Sequence, residues 1–166
     1  MSRALVLFSI VAAVYFGIRL VSDSGARLTD LVGVAASLFV LRQNTRVLMS
    51  NRKVATTPAL HELHDATALD EALGSERAIL YKHSTRCPVS AVVLNEVLLF
   101  DEAHPDWTTY LLKVIEQRQL SDTVAERLGV SHESPQVFVI KQGQCVWHTS
   151  HHLITSQALS QQVVAS

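Results

Sequence analysis

The chain has 166 residues, enough for one domain of ordinary size and an additional segment. Its only two cysteines, Cys87 and Cys145, exclude a disulfide framework, and no CxxC or Cys/His spacing predicts a metal site. Residues 1–54 hold seven Lys and Arg against two acidic residues, a net charge of +5, whereas residues 55–166 hold seven against thirteen, a net charge of −6. The acidic charge of the larger part argues against nucleic acid as a partner, because binding it needs a basic face.

Residues 1–54 contain two apolar stretches and a basic run. The first stretch, residues 4–21, would be about 27 Å long as a helix, close to the thickness of a hydrocarbon core. The second, residues 28–41, is shorter and contains Asp30, so it predicts a tilted span or an interfacial helix. The basic run, residues 42–53, follows directly. The sequence therefore predicts a membrane anchor with one span and, in the second stretch, a candidate for another.

Two alternatives stay open for this segment. Ser24, Gly25 and Ala26 resemble a small-residue cleavage site, which would make the first stretch a secretory signal. The two stretches could also be buried core helices of a soluble fold. With one span or two, the basic flanks place the C-terminal side in the cytoplasm, and the basic run would lie against anionic lipid headgroups. We therefore expect residues 55–166 at the cytoplasmic side of the cell membrane.

Residues 55–166 alternate between helical and strand patterns after a linker at residues 56–58. In chain order the periodicity predicts a helix over residues 60–74, a strand over 78–81, a helix from Cys87 to about residue 102, a strand over 107–114, a helix over 122–128, a hairpin over 136–148 and a helix over 154–164. This order is that of a thioredoxin-like domain. The predicted fold class is thus α/β, a thioredoxin-like domain preceded by one or two transmembrane helices.

Cys87 lies between the first predicted strand and the next helix, at the helix N-terminus. Unpaired backbone N–H groups and the positive end of the helix dipole favour the thiolate there, and the thiolate is the nucleophilic form. Lys82, Arg86 and, if protonated, His83 would add positive charge. The alternative is that Cys87 is a small buried hydrophobic residue, as free cysteine often is.

Position 90 is Ser, where a dithiol CxxC enzyme would have its resolving cysteine. The Ser90 hydroxyl would either hydrogen-bond the thiolate or satisfy the first turn of the helix. Cys145 is expected at the far end of the hairpin, on the order of 15 Å from the active-site end and beyond the reach of a disulfide. Ser134-Pro135 precedes the hairpin, and an X–Pro bond is the only common cis peptide. In a thioredoxin-like fold, a cis proline here would lie against the thiol and present its backbone to substrate.

The hairpin returns His148, His151 and His152 toward the same end. These histidines could bind a carboxylate-bearing thiol or a metal ion, and the alternative is a solvated loop before the last helix.

Several separated segments lie in the order found in one known family: residues 82–90, 114–118, 128–136, 146–151 and 154–155. Together they resemble the bacillithiol-system redox proteins of the YtxJ type, the monothiol bacilliredoxins, over about residues 60–160. The resemblance implies a thioredoxin-like fold and removal of bacillithiol from protein mixed disulfides, with Cys87 as the nucleophile. It implies bacillithiol as a co-substrate and no bound cofactor. Its partners would be bacillithiolated proteins and either a low-molecular-weight thiol or a recycling reductase.

The leading prediction is therefore a membrane-tethered thiol–disulfide oxidoreductase. The alternative is a non-catalytic thioredoxin-like module at the membrane, which binds partner chains or senses the state of its thiol. An enzyme needs an exposed Cys87 with its neighbours intact, whereas a pure binding module would tolerate Cys87→Ala.

Overall fold

The computed structural model describes residues 3–22, 28–56 and 60–164. The chain divides into two compact units, Met1–Leu48 and Met49–Ser166. The first unit contains helix α1 (Arg3–Ser22) and most of helix α2 (Leu28–Thr56), whose last residues belong to the second unit. Within the first unit α2 approaches α1 closely at Gly33, where a Cβ atom would lie 2.9 Å from the Phe16 ring.

The membrane spans predicted over residues 4–21 and 28–41 are not supported. Both stretches are helical, but no helix among the described residues is long and apolar enough to cross a membrane. The basic run over residues 42–53 is not a separate segment, because it continues α2 without a break. Residues 24–26 of the candidate cleavage site, and residues 57 and 58 of the expected linker, lie outside the described residues.

A five-stranded sheet forms the centre of the second unit, with the strand order β1-β3-β2-β4-β5. Strand β2 is central and pairs in parallel with β3 on one side and antiparallel with β4 on the other. The strands are β1 (His61–Glu62), β2 (Arg77–His83), β3 (Thr108–Lys113), β4 (Gln136–Lys141) and β5 (Gln144–Ser150).

Helices cover both faces of this sheet, so the central strands are buried on both sides. The helices are α3 (Ala66–Gly74), α4 (Pro88–Ala103), α5 (Arg118–Leu128) and α6 (Ser156–Val164), with a 3₁₀ turn at His151–Leu153. Tyr81 packs in the core that contains α4 and α6 residues, whereas its neighbour Leu80 packs in the core with α3 and α5 residues. The alternation of side chains along β2 therefore decides which residues face α4, the helix that begins beside Cys87.

The predicted order of elements is confirmed from α3 onward, but an unpredicted strand, β1, precedes this helix, and the helix is shorter than predicted. The apolar periodicity from Leu60 favoured a helix, whereas His61–Glu62 is an edge strand parallel to β3. Helix α3 begins only after Asp65, whose carboxylate accepts a hydrogen bond from the Ala68 N–H at 2.9 Å. A two-residue strand is too short to show an alternating pattern, and the N-cap decides where the helix begins.

Candidate active site around Cys87

Cys87 is the N-cap residue of α4, at the end of the loop that follows β2. Its backbone is extended, with φ −98° and ψ 121°, and Pro88 occupies the first turn of the helix. Proline is well suited to this position, because its fixed φ is helical and its missing N–H would have had no partner in the helix. The Cys87 thiol is free and half-buried. Cys87 thus lies at a helix N-terminus, as the sequence predicted, and is not fully buried.

A tight turn from Ser84 to Cys87 presents the thiol. The Cys87 N–H donates to the Ser84 carbonyl at 3.3 Å, and the Ser84 N–H donates to the Ser90 hydroxyl at 3.2 Å. Ser90 is fully buried. Its hydroxyl oxygen therefore connects the start of the turn to helix α4 by a hydrogen bond. This role differs from both predictions for Ser90, a hydrogen bond to the thiolate and a bond within the first turn of the helix.

Thr85, in the middle of this turn, is anchored from two directions. Its hydroxyl donates to the Glu116 carboxylate at 2.7 Å, and its carbonyl accepts from the Asn51 side-chain amide at 2.9 Å. The next residue, Arg86, is exposed and directly precedes Cys87. None of the anchoring residues was a candidate from the sequence.

Tyr81 and His83 form a buried pair beneath the turn. The Tyr81 hydroxyl donates to the Ser90 carbonyl at 3.1 Å and lies 3.1 Å from His83 Nδ1. Burial, and to a lesser extent the charge of Cys87, raise the pKa of Tyr81. Because the tyrosine proton is given to Ser90, the Tyr81 oxygen accepts from His83 Nδ1–H, and His83 Nε2 is left as an acceptor. That nitrogen is buried and has no hydrogen-bond partner among the described residues.

The protonated His83 considered from the sequence is corrected by its burial. The His83 ring is fully buried, and burial lowers its pKa to about 4; Glu116 opposes this shift and Lys113 adds to it. The imidazole is therefore neutral at neutral pH, and it contributes no positive charge to a Cys87 thiolate. The apolar pattern predicted a strand that ends at residue 81, whereas β2 continues to His83. The burial of this ring was therefore not expected.

Lys82 faces the opposite side of the sheet. Side chains alternate along β2, so Lys82 lies on the face away from Tyr81, and its ammonium donates to the Ser121 carbonyl of α5 at 3.1 Å. Burial lowers the pKa of Lys82 to about 8, with Asp122 opposing the shift and Arg118 adding to it. Of the predicted basic neighbours, the structure leaves only Arg86 beside the thiol.

The Ser134–Pro135 bond is a cis peptide at the start of β4. Gln136, the first residue of β4, pairs with Lys82 near the end of β2, so Pro135 lies at the sheet end from which the Cys87 loop emerges. The Pro135 carbonyl accepts from the His151 N–H at 2.9 Å. The hydroxyl of Ser134 is buried with no partner in the described part of the chain.

The buried Gln136 side chain holds the loop before Pro135 in place. Its amide donates to the Ser131 carbonyl at 3.0 Å, and its carbonyl oxygen accepts from the Glu133 N–H at 3.3 Å. A polar residue directly before the apolar run 137–140 was the sequence signal for this contact.

Cys145 lies at the other end of the sheet. It pairs with Ile140, which in turn pairs with Ala78 near the start of β2. Cys87 follows His83, five residues further along β2 than Ala78, and this separation is on the order of 16 Å. The Cys145 thiol donates to the Trp147 carbonyl, and burial raises its pKa. The structure thus has Cys145 where the sequence predicted it.

The histidines that follow β5 return to the Pro135 end of the sheet, as the His151–Pro135 hydrogen bond shows. His151 and His152 are exposed. Among residues 3–22, 28–56 and 60–164, no three His, Cys, Asp or Glu side chains come together as a metal-binding group.

Comparison with known proteins agrees with this geometry. A family model described as monothiol bacilliredoxin BrxC matches residues 58–159. The chain is similar, at 31% identity and a TM-score of 0.59, to a solved structure described as a candidate oxidoreductase with a thioredoxin fold; the match covers 62% of this chain and 92% of the other.

Two thioredoxins show the same fold at lower identity. Mitochondrial thioredoxin 3 from Saccharomyces cerevisiae is 17% identical with a TM-score of 0.53, over 64% of this chain and 95% of its own. Oxidised thioredoxin from Plasmodium falciparum is 15% identical with a TM-score of 0.52, over 64% of this chain and 96% of its own. These likenesses confirm the predicted thioredoxin-like fold. The family match and the 31% identical oxidoreductase confirm a general role in thiol–disulfide chemistry, and the chain belongs to the monothiol bacilliredoxin family.

Proposed function

We propose that this protein removes bacillithiol from protein mixed disulfides through Cys87, by a monothiol route. The observation that carries the proposal is the free, half-buried Cys87 thiol at the N-terminus of α4, with Ser90 in the first turn and Cys145 at the other end of the sheet. A nucleophile without a second thiol in reach can accept an adduct but cannot expel it by closing an internal disulfide.

The transfer conserves electrons at each step. The Cys87 thiolate attacks the bacillithiol sulfur, the mixed disulfide bond breaks, and the substrate protein leaves as a thiolate that takes a proton from water. A disulfide now joins Cys87 to bacillithiol. A second bacillithiol, as its thiolate, then attacks the bacillithiol sulfur of this adduct, which gives oxidised bacillithiol and returns the Cys87 thiolate. A recycling reductase could supply the second thiol instead.

The backbone around Cys87 suits this chemistry. Cys87 caps the first turn of α4, and the dipole of a helix N-terminus stabilises negative charge there. Arg86 adds positive charge from the exposed side of the turn. Because the Pro135 carbonyl is already bound to His151, we assign main-chain contacts with the substrate protein to Ser134.

We also propose that the chain works at the cytoplasmic face of the cell membrane. Large apolar side chains of α1 are exposed, among them Phe8 and Val11, and the basic run over residues 42–53 would favour anionic headgroups. Because no described helix is long and apolar enough to cross a membrane, the proposal is attachment to the lipid surface. Flotation of the full chain with anionic vesicles should carry it upward at low salt, and failure to float would exclude this attachment.

The monothiol route is tested with a bacillithiolated model protein and the reduced full chain. Intact mass should show the adduct leaving the model protein and appearing on Cys87 one for one. Cys87→Ala should abolish the transfer, whereas Cys145→Ala, the matched control, should leave its rate within about twofold, since that sulfur is remote from the site. Loss of transfer in Cys145→Ala, or a Cys87–Cys145 disulfide as the main product, would replace this route with a dithiol mechanism.

A further inference from the structure

The active-site turn is held by a residue that precedes the segment matched by the family. Asn51 belongs to the last turns of α2, within the second unit, and the family match begins at residue 58. Its side-chain amide donates to the Thr85 carbonyl at 2.9 Å, and Thr85 is two residues before Cys87. A side chain from outside the matched segment therefore touches the loop that carries the nucleophile.

This hydrogen bond fixes the orientation of one peptide plane in the turn. The carbonyl of the Thr85–Arg86 peptide points to Asn51, while its N–H, on Arg86, donates to the Ser84 hydroxyl at 3.4 Å. The Thr85 side chain is held from another direction by Glu116. Because the carbonyl and the N–H of this peptide are both hydrogen-bonded, the backbone that leads into Cys87 cannot rotate freely.

We propose that Asn51 is a positioning residue for the Cys87 nucleophile and acts through the Thr85 carbonyl. Without the amide donor, this carbonyl would turn to water, the peptide plane would rotate, and the sulfur would spend less time in a productive orientation. The end of α2 thus supplies a part of the active site. The inference rests on the proposed role of Cys87 as a nucleophile.

The test is the rate of Cys87 alkylation by iodoacetamide in the full chain, with Cys145→Ala present in every variant so that one thiol reports. Asn51→Leu keeps the size of the side chain and removes the donor. It should slow alkylation by about fivefold to tenfold, the change in rate that corresponds to the free energy of one lost hydrogen bond. Ser50→Ala is the matched control, because it removes a buried hydroxyl from the same turn of α2, and its rate should stay within about twofold.

A rate for Asn51→Leu within twofold of the parent would overturn the inference. Equal slowing in Asn51→Leu and Ser50→Ala would overturn it as well, since both would then act through the packing of α2. Urea unfolding of each variant shows whether the free energy of unfolding changes in parallel with the rate.

Thr85→Val supplies an independent check, because it removes the bond to Glu116 and keeps the carbonyl that Asn51 binds. If both anchors act on one turn, the double variant should slow alkylation by less than the product of the single effects. Strictly multiplicative effects would mean that Asn51 acts elsewhere. Iodoacetamide involves no bacillithiol, so the outcome is independent of whether the chain transfers bacillithiol.

Discussion

The Tyr81 hydroxyl donates to the Ser90 carbonyl and so joins the central strand β2 to the first turn of α4. Tyr81→Phe removes this bond and the acceptor for His83 and leaves both partners buried. We expect the free energy of unfolding to fall by about 1–3 kcal/mol, the cost of buried groups left without partners. Urea unfolding measures this change. A loss below about 0.5 kcal/mol, as for an ordinary surface change, would contradict the buried pair.

His83 should make stability depend on pH. Its pKa is about 4 in the folded chain and 6.5 in the unfolded chain, so between these values the unfolded chain binds more protons. The contribution of His83 to the free energy of unfolding, about 3 kcal/mol, should be fully present above pH 6.5. It should be lost as the pH falls toward 4.

Replacing the histidine separates its contribution from those of other groups. His83→Gln should flatten the dependence of unfolding free energy on pH over this window. Equal slopes in His83→Gln and the parent would show that His83 titrates normally.

Lys82 should also make the free energy of unfolding rise with pH, over a higher pH range than His83. Burial lowers its pKa to about 8 against an ordinary value of 10.5, so the unfolded chain binds more protons between these values. Stability should therefore rise with pH across this window in the parent chain. Lys82→Met should show a smaller rise, measured by urea unfolding at both ends of the window. An unchanged rise would mean that the ammonium is solvated.

Ser90→Cys should convert the monothiol route into a dithiol one. Positions 87 and 90 are three residues apart at the start of α4, a spacing that brings two side chains to one face of a helix. The adduct on Cys87 should then be released, with an internal disulfide as the product visible by intact mass. An adduct that persists as long as in the parent would show that the buried position 90 is out of reach.

The sequence was sufficient for the order of elements and for the position of Cys87, because strand, helix and hairpin patterns are local. It was insufficient for the burial, orientation and long-range contacts of side chains, because these depend on the tertiary structure. The basic charge of Lys82 and His83 suggested support for the thiolate, but strand alternation turns one away and burial neutralises the other. The Asn51–Thr85 contact joins residues 34 positions apart and has no local pattern at all.

The distance between the two thiols also has a consequence for oxidative damage. Cys87 and Cys145 are both free and half-buried, but they lie at opposite ends of the sheet, and burial raises the pKa of Cys145. A sulfenic acid formed on Cys87 by peroxide has no internal thiol within reach, so a protective disulfide can form only with an external thiol, before further oxidation to the sulfinic and sulfonic acids. Small thiols would therefore protect the protein from irreversible inactivation.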